Sequence, residues 1–440
     1  MNYQELVDNT DPAMVIEGMD LIKAHHLANG EFLSDSNPLK MDSFRAIRGH
    51  FRNRHPSRLR PNDLKTYMAT SVITHCFDGW IYLSHAVDSL LKGDKGIAIH
   101  LAYYAELRGT LSFLARQGIS VNDRNNMGIN SRGIIDSSTT GGTHVATWEY
   151  LESWMNSSSS NHVNLLNYFV VANKNLTEWM DYHPLAISPS VANQYALSWM
   201  REWSFDIQKF KEDKQFRNIV TYQPQRLRDN GGIDYKEKFR SISQIWKFLE
   251  PNGSERFSLL DKYLFAKLFD QINRNPPSGS PGNLKSICGE AFTNAGLSMD
   301  VQIEHIIDSG VANSLLLNSQ EPAIDGTSGE LKPLHIISRS LLMLRIASGC
   351  TRELLKSAGI ANGNIDFYLK NLGNNNGHWK GPTPSNFETL WEDINDSLLV
   401  IDDLIDEPDP MHLHDLFQIQ AMELHHFKQL SRACFWGSCA

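Results

Sequence analysis

Apolar residues recur at steps of three and four along most of the chain, the spacing of helices that bury one face. The stretch 385–405 shows it most plainly. Phe387, Leu390, Trp391, Ile394, Leu398, Ile401 and Ile405 keep helical spacing behind Ser385 and Glu388, the ends of a capping box. Within 94–117 a second stripe is formed by Ile97, Leu101, Tyr104, Leu107, Leu111 and Leu114. Similar patterns predict helices over 62–91, 143–155, 161–182, 189–214, 234–250, 254–273 and 333–349. Asp11-Pro12, Ser188-Pro189 and Asp409-Pro410 mark starts, and Gly30, Gly118, Gly310 and Gly359 mark ends. Alternating apolar and polar runs are nearly absent, leaving room for short strands only in 216–233 and 311–332. The fold class expected is all-α, a multi-helix bundle with few or no strands.

A length of 440 residues exceeds the roughly 250–300 at which one core stops growing, so two helical domains are expected. The boundary falls at 274–283, Arg-Asn-Pro-Pro-Ser-Gly-Ser-Pro-Gly-Asn, where three prolines and two glycines interrupt regular structure. The expected units are 1–273 and 284–440; a long loop within one unit is the alternative. No apolar run approaches the ~20 residues of a membrane span, and the run at 165–172 is far too short. Residues 1–8 carry no cationic and apolar leader pattern, so a cytoplasmic protein is expected. Five cysteines without a Cys-x-x-Cys pair fit free thiols in a reducing compartment, although Cys434 and Cys439 are close enough in sequence to bridge.

The formal charge of −9 argues against nucleic-acid binding by overall attraction. Local charge changes that picture. Arg45, Arg48, Arg52, Arg54, Arg58 and Arg60, interleaved with His50 and His55, form a stretch without a carboxylate, suited to RNA or another polyanion. In the helix over 94–117, His100, Tyr104 and Arg108 fall four residues apart beside the apolar stripe, and Glu106 follows Tyr103 by three. Polar groups so near a core must be hydrogen-bonded, and their network orients a ligand or a neighbouring helix. Gly141-Gly142-Thr143-His144 opens the next helix, with Thr143 as its expected N-cap and backbone N–H groups able to hold a phosphate. Asp402, Asp403 and Asp406 share a helical face, as magnesium would require. His412, His414, His425 and His426, with Asp415 and Glu423, lack a His-Glu-x-x-His spacing, so no metal site and no cofactor are assigned. His335 and Arg339 lie one turn apart on an apolar helix and are placed to face a pocket or an ion-pair partner.

Tyr103-Tyr104-Ala105-Glu106-Leu107-Arg108, ending at the Gly118 stop, resembles a core helix of the HEPN superfamily of bacterial helical proteins, over about residues 60–155. The resemblance implies tyrosines and small residues across a bundle interface, and work in RNA cleavage, toxin systems or phage defence. That family's catalytic signature is an arginine followed after four to six residues by a histidine. Arg45 with His50 and Arg48 with His55 satisfy the spacing but precede the bundle helices. The leading expectation is a protein- or nucleic-acid-interaction component of a bacterial defence or stress system. One alternative is a metal-independent HEPN-type RNase using Arg48 with His50 or His55, or the neighbourhood of Tyr104, Arg108 and His144. The other is a magnesium-dependent enzyme acting at the acidic carboxyl-terminal helix. Convergence of His100, Tyr104, Arg108 and His144 on one cleft favours an enzyme; their dispersal favours an interaction module.

Overall fold

The computed structural model describes residues 1–40, 59–123, 125–136, 141–157, 162–185, 187–203, 205–223, 235–253, 255–277, 281–406 and 421–439. Helices dominate them. In chain order they are α1 (Tyr3–Asn9), α2 (Ala13–His25), α3 (Pro61–Leu91), α4 (Lys95–Arg116), α5 (Thr143–Asn156), α6 (Leu176–Asp181), α7 (Pro189–Arg201), α8 (Ile207–Tyr222) and α9 (Tyr235–Leu249). They continue with α10 (Ser258–Arg274), α11 (Leu284–Asn294), α12 (Val301–Ser309), α13 (Ser314–Ser319), α14 (Pro333–Ser357), α15 (Asp366–Asn375), α16 (Thr389–Asp406), α17 (Ala421–Phe427) and α18 (Ala433–Ser438).

The architecture starts from the α3–α4 hairpin. Pro61 occupies the first helical position of α3, where its missing N–H costs nothing, and Asp63 in the first turn complements the helix dipole. Leu64, Met68, Val72, Cys76, Trp80, Leu83 and Val87, at steps of three and four, are fully buried along its core face. Gly93 takes φ +87° in the turn, and the Asp94 carboxylate then caps α4 by accepting from Ile97 N at 3.0 Å. Across this hairpin lies α14, and close approach is possible because Gly79 has no side chain. A Cβ there would stand 2.5 Å from Leu344 Cδ2 and 3.2 Å from Ala105 O. Gly349 likewise admits Tyr168, whose Cβ would lie 2.4 Å from an added Cβ.

Two buried ion pairs tie α14 to the rest. Arg345 donates from Nε and Nη2 to Asp261 of α10 at 2.8 and 2.7 Å, and Nη2 also reaches Tyr168 O at 2.8 Å. Arg339 grips Asp213 of α8 in the same two-point manner. One contiguous core runs from Leu6 to Cys439 and draws residues from both sides of 274–283.

Several elements differ from the sequence reading. The helix expected over 161–182 is a 3-10 helix at His162–Tyr168, a hairpin of β4 (Val170–Val171) and β5 (Lys174–Asn175), and α6. Ala172 and Asn173 adopt φ +48° and +62° at the hairpin turn, which a helix cannot contain. The helix expected over 189–214 is broken into α7 and α8, because Asp206 accepts from Gln208 N and Lys209 N and starts a new helix. The reading of 216–233 as a place for strands fails at least to residue 222, which α8 occupies; 224–234 lie outside the described residues. In 311–332 a single bridge, Ile324 to Leu331, forms.

Glycine ends α4 at Gly118 (φ +79°), and an antiparallel sheet β1 (Ile119–Ser120), β2 (Met127–Asn130), β3 (Gly133–Asp136) follows, a feature no alternation announced. The Ser385–Glu388 box is replaced by Asn386, whose side chain accepts from Glu388 N at 2.9 Å, so α16 starts at Thr389. All five cysteines are buried free thiols, and Cys434 and Cys439 do not bridge. Among the described residues no helix is long and apolar enough to cross a membrane.

Candidate functional site

Helices α4, α5 and α8 meet in a half-buried cluster of tyrosine, histidine and arginine. The α4 row supplies His100, Tyr103 and Tyr104, α5 supplies His144 at its first turn, α3 adds Tyr82, and α8 adds Arg217 and Thr221. His100 Nδ1 lies 2.8 Å from Thr221 Oγ1, and Tyr103 OH lies 3.0 Å from His144 Nδ1. Rings pack throughout. Tyr82 stacks on Tyr104 at 5.4 Å, Tyr103 on His144 at 5.7 Å, and the His100 and Tyr104 centroids are 5.1 Å apart.

Arg217 closes the cluster. Its guanidinium lies 5.3 Å from the Tyr104 centroid and 5.9 Å from that of Tyr103, within cation–π range. Nη2 donates to Tyr104 OH and Nη1 to Asn218 Oδ1, while Nε is buried without a partner. Among the described residues no carboxylate pairs with it. Burial, followed by Arg217 and Lys214, pushes His144 down to about 4, and burial with Arg217 also lowers His100. Both imidazoles are therefore neutral at pH 7, and burial raises Tyr103 well above the ordinary phenol range. The rim carries exposed apolar side chains: Ile97 one turn before His100, Val145 beside His144, and Tyr222 beside Thr221.

Of the four residues proposed from sequence, His100, Tyr104 and His144 converge and Arg108 does not. Arg108 Nη1 donates to His75 Nδ1 at 2.8 Å and lies 3.5 Å from Asp78, both on α3, so its charge is already engaged. His75, pushed down to about 3 by burial and by Arg108, accepts as a neutral ring. Thr143 is not the N-cap of α5. Gly142 takes that place, and the Thr143 hydroxyl accepts from Asp123 N at 3.2 Å. Arg217 escaped the sequence reading because its helix was expected to stop at 214. The signal available was the run Phe210, Asp213, Arg217 at helical spacing beyond the Asp206 cap.

Arg45, Arg48, His50, Arg52, Arg54, His55 and Arg58 lie outside the described residues, as do His412, His414 and Asp415. Arg60 is described, and it is paired with Asp63 through two hydrogen bonds of 2.7 and 2.9 Å. His335 Nδ1 sits 2.8 Å from Pro322 O, and Arg339 points into the core, so these two do not share a pocket. Asp402 is held by Lys247 at 2.9 Å. Among the described residues no group of three or more His, Cys, Asp or Glu side chains is arranged to hold a metal ion.

Beneath the cluster, one turn from Tyr103, Glu106 is fully buried with neither carboxyl oxygen hydrogen-bonded. Burial first, and Asp213 next, raise it well above the usual carboxylate range despite Arg339. Comparison of the chain with protein-family models, with curated proteins and with solved structures gives no match.

Proposed function

We propose that the protein is a nucleic-acid interaction component that takes a single RNA strand across the Tyr104, His144 and Arg217 cluster. The observation that carries this reading is Arg217, a guanidinium stacked on two tyrosines and unopposed by any described carboxylate. Such a group pairs with a phosphate as a charge-assisted donor, while the rims of tyrosine and histidine offer ring faces on which a base stacks. Neutral imidazoles add donors and acceptors without repelling a cationic neighbour. The arginines from Arg45 to Arg58 supply further phosphate contacts in this reading, whereas Arg60 is engaged by Asp63.

Salt titration of a labelled single-stranded RNA tests it. Log affinity is expected to fall with log salt at about −0.7 per phosphate contacted. Arg217→Ala is expected to flatten that slope by about one contact, roughly 0.7, and to weaken binding about tenfold. Replacing Arg48, Arg52 and Arg54 together with alanine flattens it separately, so the two regions are distinguished. No binding at about 50 mM salt sinks the reading.

One geometric detail favours a second reading, RNA cleavage: the neutral His144 ring, hydrogen-bonded to Tyr103, stands beside Arg217. Attack of a ribose 2′-hydroxyl on the adjacent phosphorus would pass its proton to the imidazole while the guanidinium balances charge on phosphate, and the departing 5′-oxygen would take a proton from water. Cleavage of RNA but not of the matching DNA, lost in His144→Ala with binding retained, would establish it.

A further inference from the structure

The carboxyl half of α3, the turn carrying Asn376 and His378, and the segment from His425 to Ser431 line a separate, half-open cavity of about 210 Å³. Its wall contains a chain of hydrogen bonds. Ser431 N donates to Ser84 Oγ at 2.8 Å, Ser84 Oγ donates to Ser431 Oγ at 3.1 Å, and Ser431 Oγ is 3.0 Å from His378 Nε2. His378 is 5% exposed, and its Nδ1 is buried with no hydrogen-bond partner. Burial, with Arg432 behind it, pushes the ring down to about 3, so it is neutral.

A neutral imidazole can carry its proton on either nitrogen. The hydroxyl chain runs from Ser84 to Ser431 in this structure and can reverse if the imidazole exchanges tautomer. As placed, Ser84 donates to Ser431, which leaves Ser431 free to donate to His378. In the reverse direction, Nε2–H donates to Ser431, Ser431 donates to Ser84, and the Ser84 proton is left for a group inside the cavity.

The charge around this chain is unbalanced. Asp88 is the one carboxylate lining the cavity. Lys428 Nζ reaches its Oδ1 at 3.0 Å and Lys92 Nζ its Oδ2 at 2.6 Å, so two ammonium groups share a single negative charge. Lys428 itself lines the cavity, beside His85 and His425. His425 is lowered by burial and then by Lys428 and Arg432, and its Nε2 is 2.9 Å from the Gln429 amide nitrogen, which donates to it.

We propose that this cavity binds a phosphate oxyanion, held between the Lys428 ammonium and the Ser84–Ser431 hydroxyl chain. An anion there neutralises the surplus charge and selects the chain direction that points a proton at it. The cavity is smaller than the roughly 300–1,000 Å³ of pockets for drug-sized ligands, which fits inorganic phosphate or a small phosphomonoester. The site shares no residue with the RNA-binding cluster and stands independently of that reading.

The test is calorimetric titration and thermal melting of the full chain with inorganic phosphate and with glycerol 3-phosphate, at constant ionic strength. Both are expected to raise the melting temperature by mass action. Lys428→Gln is expected to weaken binding about tenfold or more, and Ser84→Ala several-fold, while Arg217→Ala leaves it unchanged. Tighter binding of glycerol 3-phosphate identifies a phosphomonoester as the source, and equal or tighter binding of phosphate identifies the free ion. Absence of binding by either probe, binding that both cavity variants leave intact, or loss in Arg217→Ala overturns the proposal. Should Lys428→Gln fail to fold, Ser84→Ala decides, since it keeps the Lys428–Asp88 pair.

Discussion

Arg339 holds the Asp213 carboxylate at two points, 2.7 Å from Nε and 2.6 Å from Nη2, in a fully buried pair that fastens α14 to α8. The same guanidinium accepts no closer approach from Glu106, whose Oε1 stays 3.9 Å from Nε. Burial raises both carboxyls, and direct contact with Arg339 makes Asp213 the one that ionises. Glu106 keeps its proton. Because Asp213 sits one turn before Arg217 and Glu106 one turn after Tyr103, this buried trio sets how α8 lies on α4, and so where Arg217 meets the tyrosines.

Asp213→Ala is therefore expected to cost about 3–5 kcal/mol, since it leaves a guanidinium buried without its counter-charge. Chemical denaturation measures it. A loss below about 1 kcal/mol would show that Glu106 takes over the pairing by ionising.

Glu106 should also leave a signature in pH. Its folded-state proton affinity is raised above the ordinary carboxylate value, so its contribution to stability is complete below the unfolded pKa of about 4.3 and is lost as pH rises through the folded value. The wild type should lose stability relative to Glu106→Gln as pH climbs from 4 toward that value, because glutamine cannot ionise. Parallel stability curves for the two proteins across pH 4 to 9 would contradict a protonated Glu106.

Tyr104 separates stacking from hydrogen bonding within the RNA reading. Tyr104→Phe keeps the ring against Tyr82 and Arg217 but removes the hydroxyl, and binding should fall only about threefold; Tyr104→Ala should cost about 1–3 kcal/mol if a base stacks there. Equal losses in the two variants would assign the effect to the hydroxyl alone.

Gly79→Ala tests the α3–α14 contact. The added methyl would stand 2.5 Å from Leu344 Cδ2 and 3.2 Å from the Ala105 carbonyl, tighter than a packed core tolerates, so a loss of about 1–3 kcal/mol is expected. An unchanged melting temperature would mean that α14 can shift at no cost.

The buried thiols give a final check. All five cysteines should resist a thiol reagent in the native protein and react together in denaturant, since each is buried and unbridged. Rapid labelling of any one under native conditions would contradict its burial.

Much of this architecture is determined by the sequence alone, because helix periodicity, caps and glycine stops act within a few residues. The helices over 62–91, 94–117 and 143–155 are found within a residue or two of their expected bounds, and the shared face of His100 and Tyr104 follows from a step of four. Only the tertiary structure decides which polar row meets which neighbour. Arg108 continues the row of Tyr104, yet the antiparallel α3 presents His75 and Asp78 to it and takes it out of the cluster. Arg217 replaces it from a helix more than a hundred residues away in sequence. The cavity around Ser84, His378 and Ser431 joins three distant segments, none of which carries a local pattern for it. Side-chain spacing fixes a face of one helix; the charge and hydrogen bonds that face acquires depend on packing between helices, which short-range sequence patterns do not encode.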